Sequence, residues 1–214
     1  IAQEGIAALK AIDPDGQATV PALVSQMRAK SSDTRLGAIL FAQRLGPVAA
    51  SATPALIEAL KDEESAVREA AATALGLVGT PTKQTVAALL NALKGSTRVQ
   101  RAASVSLAKT DTDGLPLLIS ALKDESAEIR RGISIALEKN AAAIPFLTAA
   151  LKDESRALKR GAATVVAAIG TPAAATIPAL MELLKEGPGT TQTAGMRALE
   201  SMGTAAVPAL SVAI

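Results

Sequence analysis

The string ALKDES occurs at 121–126 and again at 150–155, and ALKDEES stands at 59–65. Each copy lies between two apolar segments. A Pro-led segment precedes it, as in TPALIEALK from Thr53, LPLLISALK from Leu115, IPFLTAALK from Ile144 and IPALMELLK from Ile177. The equivalent first positions are Pro21, Pro54, Ala87, Pro116, Pro145, Pro178 and Pro208, which by subtraction lie 33, 33, 29, 29, 33 and 30 residues apart. A period near 30 that carries two apolar-periodic segments constrains the fold more than any other feature: it specifies a helical solenoid.

The Pro-led segment is helix A. Leu56, Ile57 and Leu60 follow the spacing of one helix face. Thr80-Pro81 and Thr171-Pro172 read as an N-cap followed by the first helical residue. Pro178 then falls inside helix A and is expected to kink it, whereas Pro116 and Pro145 fall in a first turn. Helix B follows the polar turn. Ser31, Ser96, Ser126 and Ser155 occupy one equivalent place and read as its N-cap. Val67, Ala70, Ala71, Ala74, Leu75 and Val78 mark the buried face. Gly79, Gly170 and Gly203 are placed to end their helices in a left-handed conformation.

The phase of the repeat sets the domain reading. Residues 1–214 form a single array of one helix B, six complete A–B pairs and one helix A. Ile1 falls just inside a helix B and Ile214 at the end of a helix A. That phase, with the absence of an initial Met, reads as a piece of a longer array.

Composition narrows the chemistry. Of 214 residues about half are apolar, mostly small or aliphatic, with two Phe and no Trp or Tyr. Such a core suits helices packed closely over small side chains. There is no Cys and no His. Thiol nucleophiles, thiolate or imidazole metal sites and Ser-His triads are therefore excluded for these residues, and no cofactor or metal is implied. The net charge of +2 creates no strong global field. No apolar run approaches the length of a membrane span, so the chain reads as soluble, with the compartment open.

Asp62 with Val67 and Arg68, Asp124 with Ile129 and Arg130, and Asp153 with Leu158 and Lys159 carry a pattern that resembles HEAT repeats of the short bacterial, phycobilisome-lyase-like kind. The copies at Val99-Gln100 and Thr191-Gln192 depart from it by lacking the basic residue. The resemblance implies an all-α, right-handed α-solenoid of stacked antiparallel helix pairs, with the B helices on the concave face. It also implies an inter-repeat ladder of acid and base, which assigns a structural role to Arg35, Asp62, Arg68, Asp124, Arg130, Asp153 and Lys159. The family supplies binding scaffolds more often than enzymes.

The residue after each ladder base, and the one eight further on, fall outside the buried set. Arg101, Arg131 and Arg160, with Lys109 and Lys139, then form a basic strip on the presumed concave face. Residues 94–160 hold 12 basic and 8 acidic side chains, a net of +4, against −2 for the remainder. The strip suits an acidic partner; alternatively it is a solvated face balanced by Glu128 and Glu138. Ile39, Ala72, Ser104, Ser134, Ala163 and Met196 are expected as the groove floor.

The reading is a non-catalytic protein- or peptide-binding scaffold. The alternatives are a bilin-lyase-like enzyme component, whose basic residues would hold propionates, and a binder of nucleic acid through the strip. Without aromatic stacking platforms and with acids spread along the chain, nucleic acid is the poorer match.

Overall fold

The turn between helices A and B closes on itself. Asp62, Asp124 and Asp153 each accept, through Oδ1, the backbone N–H two residues on, at 2.8–2.9 Å. In the second and third of these turns that residue is Ser126 or Ser155. Its hydroxyl then accepts from Ile129 or Leu158 and caps helix B. Ser31 caps in the same way through Thr34, while Ser96 stands at the N-cap position with no side-chain cap bond.

The computed structural model describes residues 8, 11–79, 82–186 and 189–212, and among these every regular element is helical. The expected Thr80-Pro81 cap and the chain ends Ile1 and Ile214 lie outside the described residues. The chain divides into two compact units, Ile1–Thr110 and Asp111–Ile214. The first holds α1 (Thr19–Gln26), α2 (Ser32–Leu45), α3 (Thr53–Ala59), α4 (Ser65–Leu75), α5 (Lys83–Ala92) and α6 (Thr97–Leu107). The second holds α7 (Leu115–Ser120), α8 (Ala127–Leu137), α9 (Ile144–Ala150), α10 (Arg156–Ile169), α11 (Ile177–Lys185), α12 (Thr190–Ser201) and α13 (Val207–Val212). Odd-numbered helices are the A type and even-numbered ones the B type. This is an α-solenoid repeat architecture.

Within the first unit α2 packs on α4 and α4 on α6, and within the second α8 packs on α10 and α10 on α12. Leu56, Leu75, Leu89 and Leu107 fill the first core, and Leu118, Ile133, Leu137 and Leu147 the second, all at 2% exposure or less. Each such side chain stabilises the fold by about 2 kcal/mol. Small residues let helix B approach its neighbours closely, α4 against α6 at Gly76 and α10 against the end of the preceding A segment at Gly161. A Cβ on Gly76 would lie 2.9 Å from Ser106 Cα, and one on Gly161 would lie 2.8 Å from Leu122 Cβ. Ser106 uses the approach to donate from its hydroxyl to the Ala72 carbonyl at 2.7 Å.

Most of the variation in repeat length lies on the other side of helix B, the turn at 94–96 being shorter by a single residue. The 14-residue helices α2 and α10 end at Gly46 and Gly170, both left-handed with φ of 63° and 69°. A 3-10 segment follows each, Gly46–Ala52 and Thr171–Thr176. Pro178 therefore sits in the first turn of α11 rather than inside a longer helix. The expected kink is replaced by a change of helix type before Ile177. Of the glycines expected to be left-handed, Gly170 and Gly203 are, and Gly79 is not.

Candidate partner-binding surface

The recurrent base of helix B first serves its own turn. Arg68 Nη1 donates to the Asp62 and Glu63 carbonyls at 2.6 and 2.7 Å, and Arg130 Nη1 to the Asp124 carbonyl at 2.6 Å. Gln100, which replaces the base, reaches the Gly95 carbonyl in the same way at 2.9 Å.

Two bases also cross to the next repeat. Arg35 grips Asp62 with both arms of its fork, Nε to Oδ2 at 2.7 Å and Nη2 to Oδ1 at 2.8 Å, while Nη1 holds the Ala29 and Lys30 carbonyls. Both side chains are about nine-tenths buried. The Arg35 hydrogen bond holds the Asp62 carboxyl below the usual carboxylate range, and the same bond raises the guanidinium further above its ordinary value. Lys159 pairs with Glu186. Arg35 and Asp62 are 27 residues apart, as are Lys159 and Glu186. The residue 27 beyond Arg68 is Gly95, which offers no carboxylate. Asp153 instead lies 3.9 Å from Lys123, a base of the preceding turn.

The outward face of helix B is a narrow strip. On α4 both Ala71 and Ala72 are fully buried, because one flank meets helix A and the other the neighbouring B helices. Ile39, Ser104 and Ala163 are buried in the same way. The expected groove floor is thus corrected: four of its six residues lie in the core, and only Ser134 and Met196 reach the surface. The true outward position is the next residue along. It is occupied by Leu40, Val105 and Ile135, which are 43%, 55% and 49% exposed.

The five basic residues fall in both units. Arg101 and Lys109 lie on and just past α6, one turn to either side of Val105, and both are exposed. Lys109 is tied down, its ammonium donating to the Gly76 carbonyl at the C-terminal end of α4. That placement complements the helix dipole. Arg101, Val105 and Lys109 line a groove of about 260 Å³ with Glu69, Thr73 and Leu77 of the α4 side. In the second unit Arg131 and Lys139 are exposed around Ile135. Glu128, a suggested counter-charge, accepts the Ser126 hydroxyl at 2.7 Å, and that bond lowers its pKa. Arg160 is half-buried between α10 and α12, where it lines two adjoining recesses. Arg156 and Arg197, which the periodicity did not single out, join it there. Arg197 holds the repeat position that Val105 and Ile135 hold in their own helices, and like them it is exposed.

Among the described residues no group of acidic side chains is arranged to hold a metal ion, and no helix is long and apolar enough to cross a membrane.

The sequence matches the HEAT-repeat family over residues 2–76, 20–108 and 115–200. The chain belongs to the HEAT-repeat family. No curated protein matches this HEAT-repeat chain. Among solved structures, one similar chain is an engineered protein, 22% identical, with 88% of this chain and 100% of that one covered and a TM-score of 0.45. Another is a designed armadillo repeat protein in complex with the peptide (KR)4, at 18% identity, 87% and 100% coverage and a TM-score of 0.45. A third is the complex of CpcE and CpcF of phycocyanin lyase from Nostoc sp., at 21% identity, 94% and 88% coverage and a TM-score of 0.44. HEAT repeats are a fold typical of protein-interaction scaffolds.

Proposed function

We propose that the chain is a non-catalytic scaffold that binds an acidic protein segment on the outward faces of its B helices. The observation that carries this reading is the alternation on α6 and α8. An exposed apolar residue, Val105 or Ile135, sits between two cations one turn away on each side, Arg101 and Lys109 or Arg131 and Lys139. A segment that alternates acids with apolar side chains complements this surface in both charge and contact. The apolar residues supply desolvated contact area, and the cations supply steering and exclude basic competitors.

The test is affinity capture from the source cell at low and high salt, with the wild-type chain and the R101S/R131S/R160S variant as baits. Arg101 and Arg131 are exposed, and Arg160 is half-buried with no ion pair among the described residues, so the melting temperature should stay within a few degrees of wild type. A discrete acidic protein held by the wild type and lost with the variant supports the reading. Recovery of nucleic acid alone, released at high salt, or equal capture by both baits, overturns it.

A further inference from the structure

We propose that the two recesses sharing Arg160 seat the phosphate of a phosphorylated serine or threonine in the bound segment, an inference that rests on the scaffold reading. The smaller recess, about 170 Å³, is lined by Arg156, Arg160, Thr190 and Thr191, with Glu186 on its rim. The larger, about 350 Å³, is lined by Arg160, Thr164, Thr193 and Arg197 over Ala167 and Ala194. Arg160 is common to both recesses, with Arg156 lining the smaller and Arg197 the larger. The acid that lines the smaller, Glu186, is held by Lys159. No carboxylate among the described residues forms an ion pair with Arg156, Arg160 or Arg197.

Like-charged groups around one small space repel each other, and a bound dianion reverses the sign of that interaction. Guanidinium forks suit the tetrahedral oxygens of phosphate, which carries close to two charges at neutral pH. A dianion seated at Arg160 has Arg156 on the side of the smaller recess and Arg197 on the side of the larger. The Thr190 and Thr191 hydroxyls add neutral donors, whereas those of Thr164 and Thr193 already donate to the Arg160 and Gly189 carbonyls. The larger recess, with its alanine floor, has room for the residue next to the phosphorylated one. A carboxylate carries one charge and fewer acceptor oxygens, so it satisfies the same cluster less completely.

The experiment is calorimetric titration of the full chain with three probes. These are a short acidic-apolar peptide carrying phosphoserine, its unphosphorylated twin, and inorganic phosphate. The phosphopeptide should bind at least about tenfold more tightly than its twin. Its affinity should fall as the pH drops below about 6, where the phosphate loses its second charge. R160Q should abolish that difference, while K152Q, at an exposed position outside the strip and both recesses, should leave it unchanged. Circular dichroism confirms that each variant is folded, and Arg160→Lys, which keeps charge without the fork, should retain part of the preference should R160Q unfold. Equal binding of phosphopeptide and twin, both weakened by R101S/R131S, overturns the phosphate seat and leaves the scaffold reading standing. Binding of neither peptide overturns both. Binding of inorganic phosphate as tight as that of the phosphopeptide overturns the peptide assignment, because the larger recess then contributes nothing.

Discussion

Asp62 ties its own turn to the preceding repeat. Its carboxylate accepts both arms of Arg35 and the Glu64 N–H, and its carbonyl accepts from Arg68. Asp62→Ala removes the cross-repeat pair and leaves the Arg35 guanidinium buried without its partner. Stability in urea should fall by about 2 kcal/mol, below the range for a fully buried pair because both groups keep some solvent contact. Arg68→Ala loses two bonds to carbonyls of an exposed turn and should cost about 1 kcal/mol. The lowered pKa of Asp62 also fixes a pH dependence. Its stabilising contribution is complete above about pH 3.9, the value of a free aspartate, and disappears as the pH falls through the lower folded value. An acid titration followed by circular dichroism should show a later onset of unfolding in the wild type than in Asp62→Ala. Arg35 and Asp62 were legible in the sequence as ladder members because one recurs per repeat. Arg68, assigned to the same ladder, bonds instead to the carbonyls of its own turn, and Gly95 stands where a crossing acid would be. The outward column was not legible. The buried arc inferred from one helix in isolation ends at Ala71. Packing between neighbouring B helices extends it over Ala72, which moves the surface by one residue.

At the scale of elements, helix B depends on its turn. Ser126 and Ser155 cap α8 and α10 through side-chain bonds, while Ser96 makes none to α6. Ser155→Ala and Ser126→Ala should each lower stability by about 1 kcal/mol, and Ser96→Ala by clearly less, in matched thermal melts. The sequence identified all four serines by position and did not distinguish them, because a cap depends on the orientation of the hydroxyl rather than on register. The A helices show the reverse. Their prolines were read as kinks or first-turn residues according to where the helix was assumed to start. The left-handed glycines Gly46 and Gly170 end the B helices sharply and hand the following residues to 3-10 segments. The α-helix then begins one residue before Pro54 and Pro178, at little conformational cost.

At the scale of the molecule, the outward arginines are divided, with Arg101 in one unit and Arg131 and Arg160 in the other. If the partner engages each unit, R101S and R131S/R160S should each weaken binding, with losses that add in log Kd, because distant independent sites combine additively. Titration of a purified partner with the two variants and their combination checks this. The A–B alternation and the helical class came from spacing alone, since each repeat is specified by short-range pattern. The placement of a partner did not, because it depends on which side chains neighbouring helices leave uncovered. The self-closed turn has a further consequence. The bond from the Asp to the N–H two residues on and the bond by which the Ser caps its helix are each made within one repeat. A stretch of gene encoding such a turn can be duplicated or lost whole while the neighbouring copies remain intact. The matching ALKDES strings at 121 and 150 are the mark that kind of inheritance leaves.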